Sequence, residues 1–293
     1  MANPFNVLWR VVSFPFRLVF GILAFPFRQV ARFVRFLNTE PEEHQLGEVI
    51  SGIVTDKSVR AFLWAEIESL RRHLLRAVLA VLAAVGVTFA YTVPVMEFLT
   101  RPIGGLANLQ AIQVTEEVGV FMKIALSLGV TIAFPYIIFE IWWFAAPGLK
   151  PRERKFGLAA IPFATLLFVS GMAFTYYLMI PAALPILGGF TEIAQDWTAN
   201  EYFDFVNGLI FWMGIFFEFP LILYVLTAVG IVRPKALAEQ WRIAIIIIAV
   251  IAAVITPTVD PLSMGLVMAP LSVLYFISIG LSFIAYAGRR RRE

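Results

Sequence analysis

Residues Phe211–Leu223 read FWMGIFFEFPLIL, a run of apolar side chains interrupted by one glycine and one carboxylate, Glu218. The fold turns on how that carboxylate is accommodated. A soluble helix would carry it at an edge facing water. A membrane helix would hold it at a cost of about 2.5–3.5 kcal/mol near mid-bilayer, where such residues face a bundle interior or a water-filled cavity. Composition separates the two. Of 293 residues, 60% are hydrophobic and 15% charged, and the mean hydropathy is +0.83. A soluble domain is about one quarter charged. There is too little polar surface here to cover a globule in water, so the expected class is an all-α, multi-span membrane protein.

A bilayer core takes about 20 apolar residues as helix. Working outward from Glu218, such runs are Leu74–Thr92, Val118–Trp143, Phe156–Ile180, Phe203–Val229, Ile243–Ile255 and Leu262–Ala287. Six transmembrane helices are predicted, and the fifth is short enough to need flanking residues or a locally thinned bilayer. Basic residues set the orientation. Arg71, Arg72 and Arg76 accompany the first run, and Lys150, Arg152, Arg154 and Lys155 fill the second loop. Arg233, Lys235 and Arg242 fill the fourth, and Arg289–Arg292 end the chain. The third loop collects Glu192, Asp196 and Glu201 instead. Alternate loops are basic, which places both termini in the cytoplasm.

Four segments follow. Residues 1–38 are apolar but carry Arg10, Arg17, Arg28, Arg32 and Arg35, with Phe-Pro-Phe-Arg at 14–17 and again at 25–28. Each proline disfavours helix at the residue before it. The segment is expected to lie as a basic amphipathic extension on an anionic leaflet; a seventh span is the alternative. It lacks the small-residue cleavage site of a signal peptide. Residues 39–61 are a polar linker, 62–287 the six-helix domain, and 288–293 a basic tail.

Several polar residues need a reading. Glu218 offers a contact for a substrate, a partner helix or a proton, with Pro220 removing a backbone donor close by. Glu153 stands among Lys150, Arg152, Arg154 and Lys155, where a solvated ion pair worth about 0–1 kcal/mol is the simple reading. It is also placed to grip a guanidinium in two parallel hydrogen bonds. Glu140 and Lys123, near opposite ends of the second run, are expected to snorkel toward headgroups. Glu116 and Glu117 complement a helix N-terminus. Thr256-Pro257 and Asp260-Pro261 form a tight outer turn. With no cysteine and two histidines, thiolate metal sites and disulfides are excluded. No phosphate loop, His-Glu-x-x-His or Gly-x-Ser-x-Gly is present. Neither enzymatic activity nor a cofactor is expected; lipid is the expected surface partner, and no nucleic acid is.

Four phrases in order are distinctive: IESLRRHLLRA (67–77), PYIIFEIWWFAAPGLKPRERKF (135–156), FFEFPLILYVLTAVGIV (216–232) and ITPTVDPLSMGLVMAPLSVLYF (255–276). Together they resemble the TatC family, the polytopic core of the twin-arginine protein translocase, over about residues 62–287. The resemblance implies six helices in a cupped bundle, the last two short, and a bacterial plasma-membrane location. It implies an oligomeric complex that binds twin-arginine signal peptides of folded cargo and exports it with the proton gradient. By position, Glu153 matches the family's arginine-binding glutamate, Phe144 the aromatic residue opening that loop, and Arg71 the arginine of the helix-one leader. Glu218 matches a polar contact for single-span partners of the TatA and TatB type. Pro257 and Asp260 fall in the outer turn. Two positions depart from the pattern. The leader reads Ser69-Leu70-Arg71 where the family has Glu-Leu-Arg, with Glu68 one residue early, a turn of about 100° on a helix. Met264 stands where many members carry glutamine. The competing function is a proton-coupled small-molecule transporter using Glu218, although no internal repeat of the kind such transporters show is evident; a structural scaffold ranks last.

Overall fold

The computed structural model describes residues 36–38, 57–188, 197–256 and 261–290. Among the described residues five helical rods are long and apolar enough to cross a bilayer, and a sixth apolar helix is shorter. The first rod is α1 (Lys57–Thr88), continued through a 3-10 turn into α2 (Thr92–Leu99). The second is α3 (Glu116–Ala145). The third is α4 (Pro151–Phe174), which passes through a π-turn at Thr175–Met179 into α5 (Ile180–Gly188). The fourth consists of α6 (Ala199–Phe217) and α7 (Phe219–Val229), followed by the short α8 (Pro234–Glu239). The short apolar helix is α9 (Trp241–Ile255), and α10 (Pro261–Arg290) ends the bundle. At 1.5 Å per residue, the 15 residues of α9 reach about 22 Å, less than a bilayer core of about 30 Å.

These residues form helices because an apolar segment in lipid must satisfy its own backbone groups. Prolines do not prevent this: Pro135, Pro162 and Pro270 lie inside α3, α4 and α10. Gly230, with φ of 92°, ends α7, and its N–H and that of Ile231 both return to the Leu226 carbonyl. Only a residue without a Cβ adopts that left-handed conformation freely.

α1 packs along α3, α4 along α6, and α7 and α9 against α10. Two of these crossings are made by glycine. A Cβ on Gly129 of α3 would stand 2.9 Å from the Val85 backbone nitrogen of α1. One on Gly171 of α4 would stand 2.9 Å from the Met213 carbonyl oxygen of α6. Small residues that let backbones approach are the usual means of helix association where lipid is as apolar as leucine. Val120, Ile124, Ile180, Phe203, Val206, Leu209, Met213 and Val267 fill the core between α3, α5, α6 and α10. The outside is equally apolar: Leu79, Leu82, Leu166, Val254 and Ile284 are all more than half exposed. A belt of that size on a soluble protein would aggregate, so its natural solvent is lipid.

The two ends of the bundle differ. At one, Leu109 and Gln110 pair in parallel with Trp197 and Thr198, a two-residue strand contact joining the first and third loops. Glu116 Oε1 accepts from the Asn200 N–H at 2.7 Å, and the Tyr202 and Tyr176 hydroxyls donate to the Leu99 and Phe98 carbonyls. Lys123, near that end of α3, keeps its side chain nearly half exposed. Its Nζ lies 2.6 Å from Asp204 Oδ1 and 2.8 Å from Asn200 Oδ1, bridging α3 to α6. The other end carries the basic loops.

Candidate functional site

At the basic end, α1 brings Glu68, Arg71 and His73 alongside the last turns of α3. Arg71 Nη1 lies 3.4 Å from Glu68 Oε2, with both side chains more than half exposed. Such a pair is worth about 0–1 kcal/mol and is easily exchanged for another partner. His73 faces inward. Its Nδ1 is 2.5 Å from Glu140 Oε2, and the Tyr136 hydroxyl donates to Glu140 Oε1 at 2.6 Å. Glu140 is 4% exposed, so the expectation that it snorkels to headgroups is overturned. A short reach to His73 across the α1–α3 contact satisfies it where it stands. The Phe144 ring meets the His73 ring edge-on, with centroids 6.0 Å apart. Phe144 and the leader helix are therefore neighbours.

Beyond Phe144 the chain makes a 3-10 turn at Ala146–Gly148 and enters α4 at Pro151. Glu153, half-buried in the first turn, accepts from the Lys150 N–H at 3.1 Å. That contact satisfies one of the unpaired donors of a helix start and sets the carboxylate at the positive end of the dipole. Arg154, counted from sequence as one more loop charge, is 2% exposed and organises the turn. Its Nε donates to the Ala146 carbonyl at 2.8 Å, and Nη2 donates to Leu149 at 3.2 Å and, more weakly, to Pro147 at 3.4 Å. Trp142 Nε1 in turn donates to the Arg154 carbonyl at 3.1 Å, and Gly157 gives the indole room. The guanidinium ties the backbone carbonyls of the turn together, so Glu153 stands on a braced turn.

Glu218 has a different setting. It occupies the joint between α6 and α7, with φ −72° and ψ −19°, and Pro220, two residues on, lacks an N–H. It is 5% exposed, and its Oε1 has no hydrogen-bond partner among the described residues. The run predicted from Phe203 to Val229 is one membrane rod, Ala199–Val229, with a turn at the carboxylate between its two helices. Pro257 and Asp260 lie outside the described residues, as does the arginine-bearing face of the extension. Among the described residues no cluster of metal-ligating side chains occurs.

Sequence reasoning missed His73 with Glu140, and Arg154. Tyr136 and Glu140 do stand four apart, the spacing of helical neighbours. The partner of Glu140, 67 positions away, leaves no local trace, and neither does the inward turn of Arg154.

A family model described as Sec-independent protein translocase protein (TatC) matches residues 65–270. The Sec-independent protein translocase protein TatC of Koribacter versatilis is 34% identical over 235 residues, covering 78% of this chain and 87% of the relative. That of Deinococcus radiodurans is 35% identical over 229 residues, covering 75% and 85%. A crystal structure of the twin-arginine translocase receptor TatC superposes with a TM-score of 0.68 at 34% identity, covering 75% of this chain and 99% of that one. With the family model matched over residues 65–270 and relatives 34–35% identical over most of both chains, the chain belongs to the TatC family.

Proposed function

We propose that this protein is the receptor core of a twin-arginine translocase. It sits in a bacterial plasma membrane as six spans cupped around a concave face, with both termini in the cytoplasm, and it exports folded cargo at the expense of the proton gradient. The observation that carries the reading is Glu153, an acid on a basic end of the bundle, seated on a turn that Arg154 braces from within. Guanidinium groups stay protonated and favour planar carboxylate partners, so a paired-arginine peptide finds in Glu153 an acceptor free of the neighbouring arginine. Phe144, set edge-on against His73, supplies an aromatic face on the leader side. Arg71 and Glu68, loosely paired, line the leader side. The apolar part of the signal peptide lies along the concave face. Glu218, with a buried oxygen unpartnered, offers a hydrogen-bond site to a single-span TatA- or TatB-type helix in an oligomeric complex.

Site-specific cross-linking from positions 144 and 153 to a twin-arginine peptide, with a twin-lysine peptide as control, tests the assignment. Capture of the arginine peptide alone is expected; equal capture of both, or of neither, refutes it. A proton-coupled solute transporter also suits an unpartnered Glu218. It would show solute uptake lost in Glu218→Gln with export intact.

A further inference from the structure

The first and third rods finish side by side at the end of the bundle away from the basic loops, and a cleft of about 420 Å³ opens between them. Arg101, in the 3-10 turn that follows α2, lines one wall. Tyr177, Pro181, Leu184 and Pro185, from the π-turn and α5, line the other. An aromatic ladder ties the walls together. The Arg101 guanidinium carbon stands 5.2 Å from the centre of the Phe98 ring, Phe98 stacks on Tyr176 at 4.3 Å, and Tyr176 meets Tyr177 edge-on at 5.0 Å. The Tyr176 hydroxyl is committed to the Phe98 carbonyl at 2.7 Å, whereas Tyr177 is exposed. Single π-turns inside longer helices are frequent at functional sites.

The chemistry of the lining narrows what fits. Among the described residues Arg101 makes no ion pair, while Lys123, near the same end, is matched to Asp204. Pro185 has no N–H to return to the Pro181 carbonyl one turn back, which leaves that acceptor without its usual helical donor. Leu184 and the two prolines make the remainder apolar. A guanidinium takes a phosphate in two parallel hydrogen bonds, and arginine and tyrosine at the end of a membrane rod lie at headgroup depth. An apolar shelf beside an unpaired cation suits an amphiphile better than a free anion, and a zwitterionic headgroup would bring a second cation up to Arg101. We infer that the cleft binds one anionic phospholipid of the phosphatidylglycerol type. Its phosphodiester sits on Arg101, its headgroup hydroxyls turn toward Tyr177 and the Pro181 carbonyl, and its ester end covers Leu184. The site is independent of the peptide-binding reading, since it stands at the opposite end of the bundle.

The test places p-benzoylphenylalanine at position 184 of the full-length chain, in equimolar vesicles of phosphatidylglycerol and phosphatidylcholine. Photo-cross-linking is expected to favour the anionic lipid about tenfold. Arg101→Gln is expected to bring the two lipids level. Lys123→Gln, an equal change of charge near the same end but outside the cleft, is expected to keep the preference. Equal capture of both lipids by the parent overturns the inference, whether or not the variants insert. An equal loss in Lys123→Gln also overturns it, because net charge alone would then account for the preference. Suppression of the cross-link by millimolar inorganic phosphate would make the ligand a soluble anion and overturn the lipid assignment.

Discussion

The contact between His73 and Glu140 gives the sharpest energetic prediction. Side-chain exposures are 12% and 5%, and the two atoms are 2.5 Å apart. Replacing His73 with leucine leaves Glu140 buried with the Tyr136 hydroxyl still bonding one oxygen. Removing one member of a buried pair costs about 3–5 kcal/mol, whereas single hydrogen bonds between membrane helices average about 0.6. Because Tyr136 remains, the low end of the first range applies, about 3 kcal/mol, or roughly a hundredfold in the unfolding equilibrium. Replacing both residues with leucine removes the stranded carboxylate, and such substitutions for buried ion pairs are often neutral or stabilising. The half-exposed Tyr136 then reaches water or headgroups. The double variant is therefore expected within about 1 kcal/mol of the parent. Equilibrium unfolding in detergent, followed by tryptophan fluorescence, measures the cycle. Additive losses, with the double variant worse than either single one, would show that the two groups do not depend on each other and would refute the reasoning.

Gly129→Ala is expected to destabilise by about 1–3 kcal/mol, because backbone atoms of Val85 cannot yield as a side chain would. Gly119→Ala, with open space at its Cβ, is the control and should be silent in the same unfolding assay. Tyr202→Phe leaves the Leu99 carbonyl without its buried donor and should lower stability by about 1–3 kcal/mol in thermal unfolding. Lys123→Met breaks a bridge whose side chains are nearly half exposed, so a loss above about 1 kcal/mol would contradict its surface character. Glu153→Arg is expected to abolish export of a twin-arginine reporter while membrane insertion, read by protease protection, stays normal; wild-type export would remove Glu153 from the site.

The class, the apolar helices and the order of the loops are legible in the residues themselves. Each apolar run has to close its own hydrogen bonds in lipid, which is a local requirement that a local reading can satisfy. Even the joint at Glu218 was half legible, since Pro220 advertises a missing donor two residues on. Glu153 was legible as an odd acid among bases, and the resemblance of the loop around it to the family motif points to its proposed role. Where the charged side chains go depends on which helices come to lie side by side. Glu140 turned inward because His73 arrived from another helix, Lys123 turned sideways because Asp204 did, and Arg154 folded under its own turn because carbonyls at 146–149 and at residue 36 surround it. Local chain geometry dictates a helix, but a buried charge takes whatever partner the packing brings, and that partner carries no mark in the residues around it.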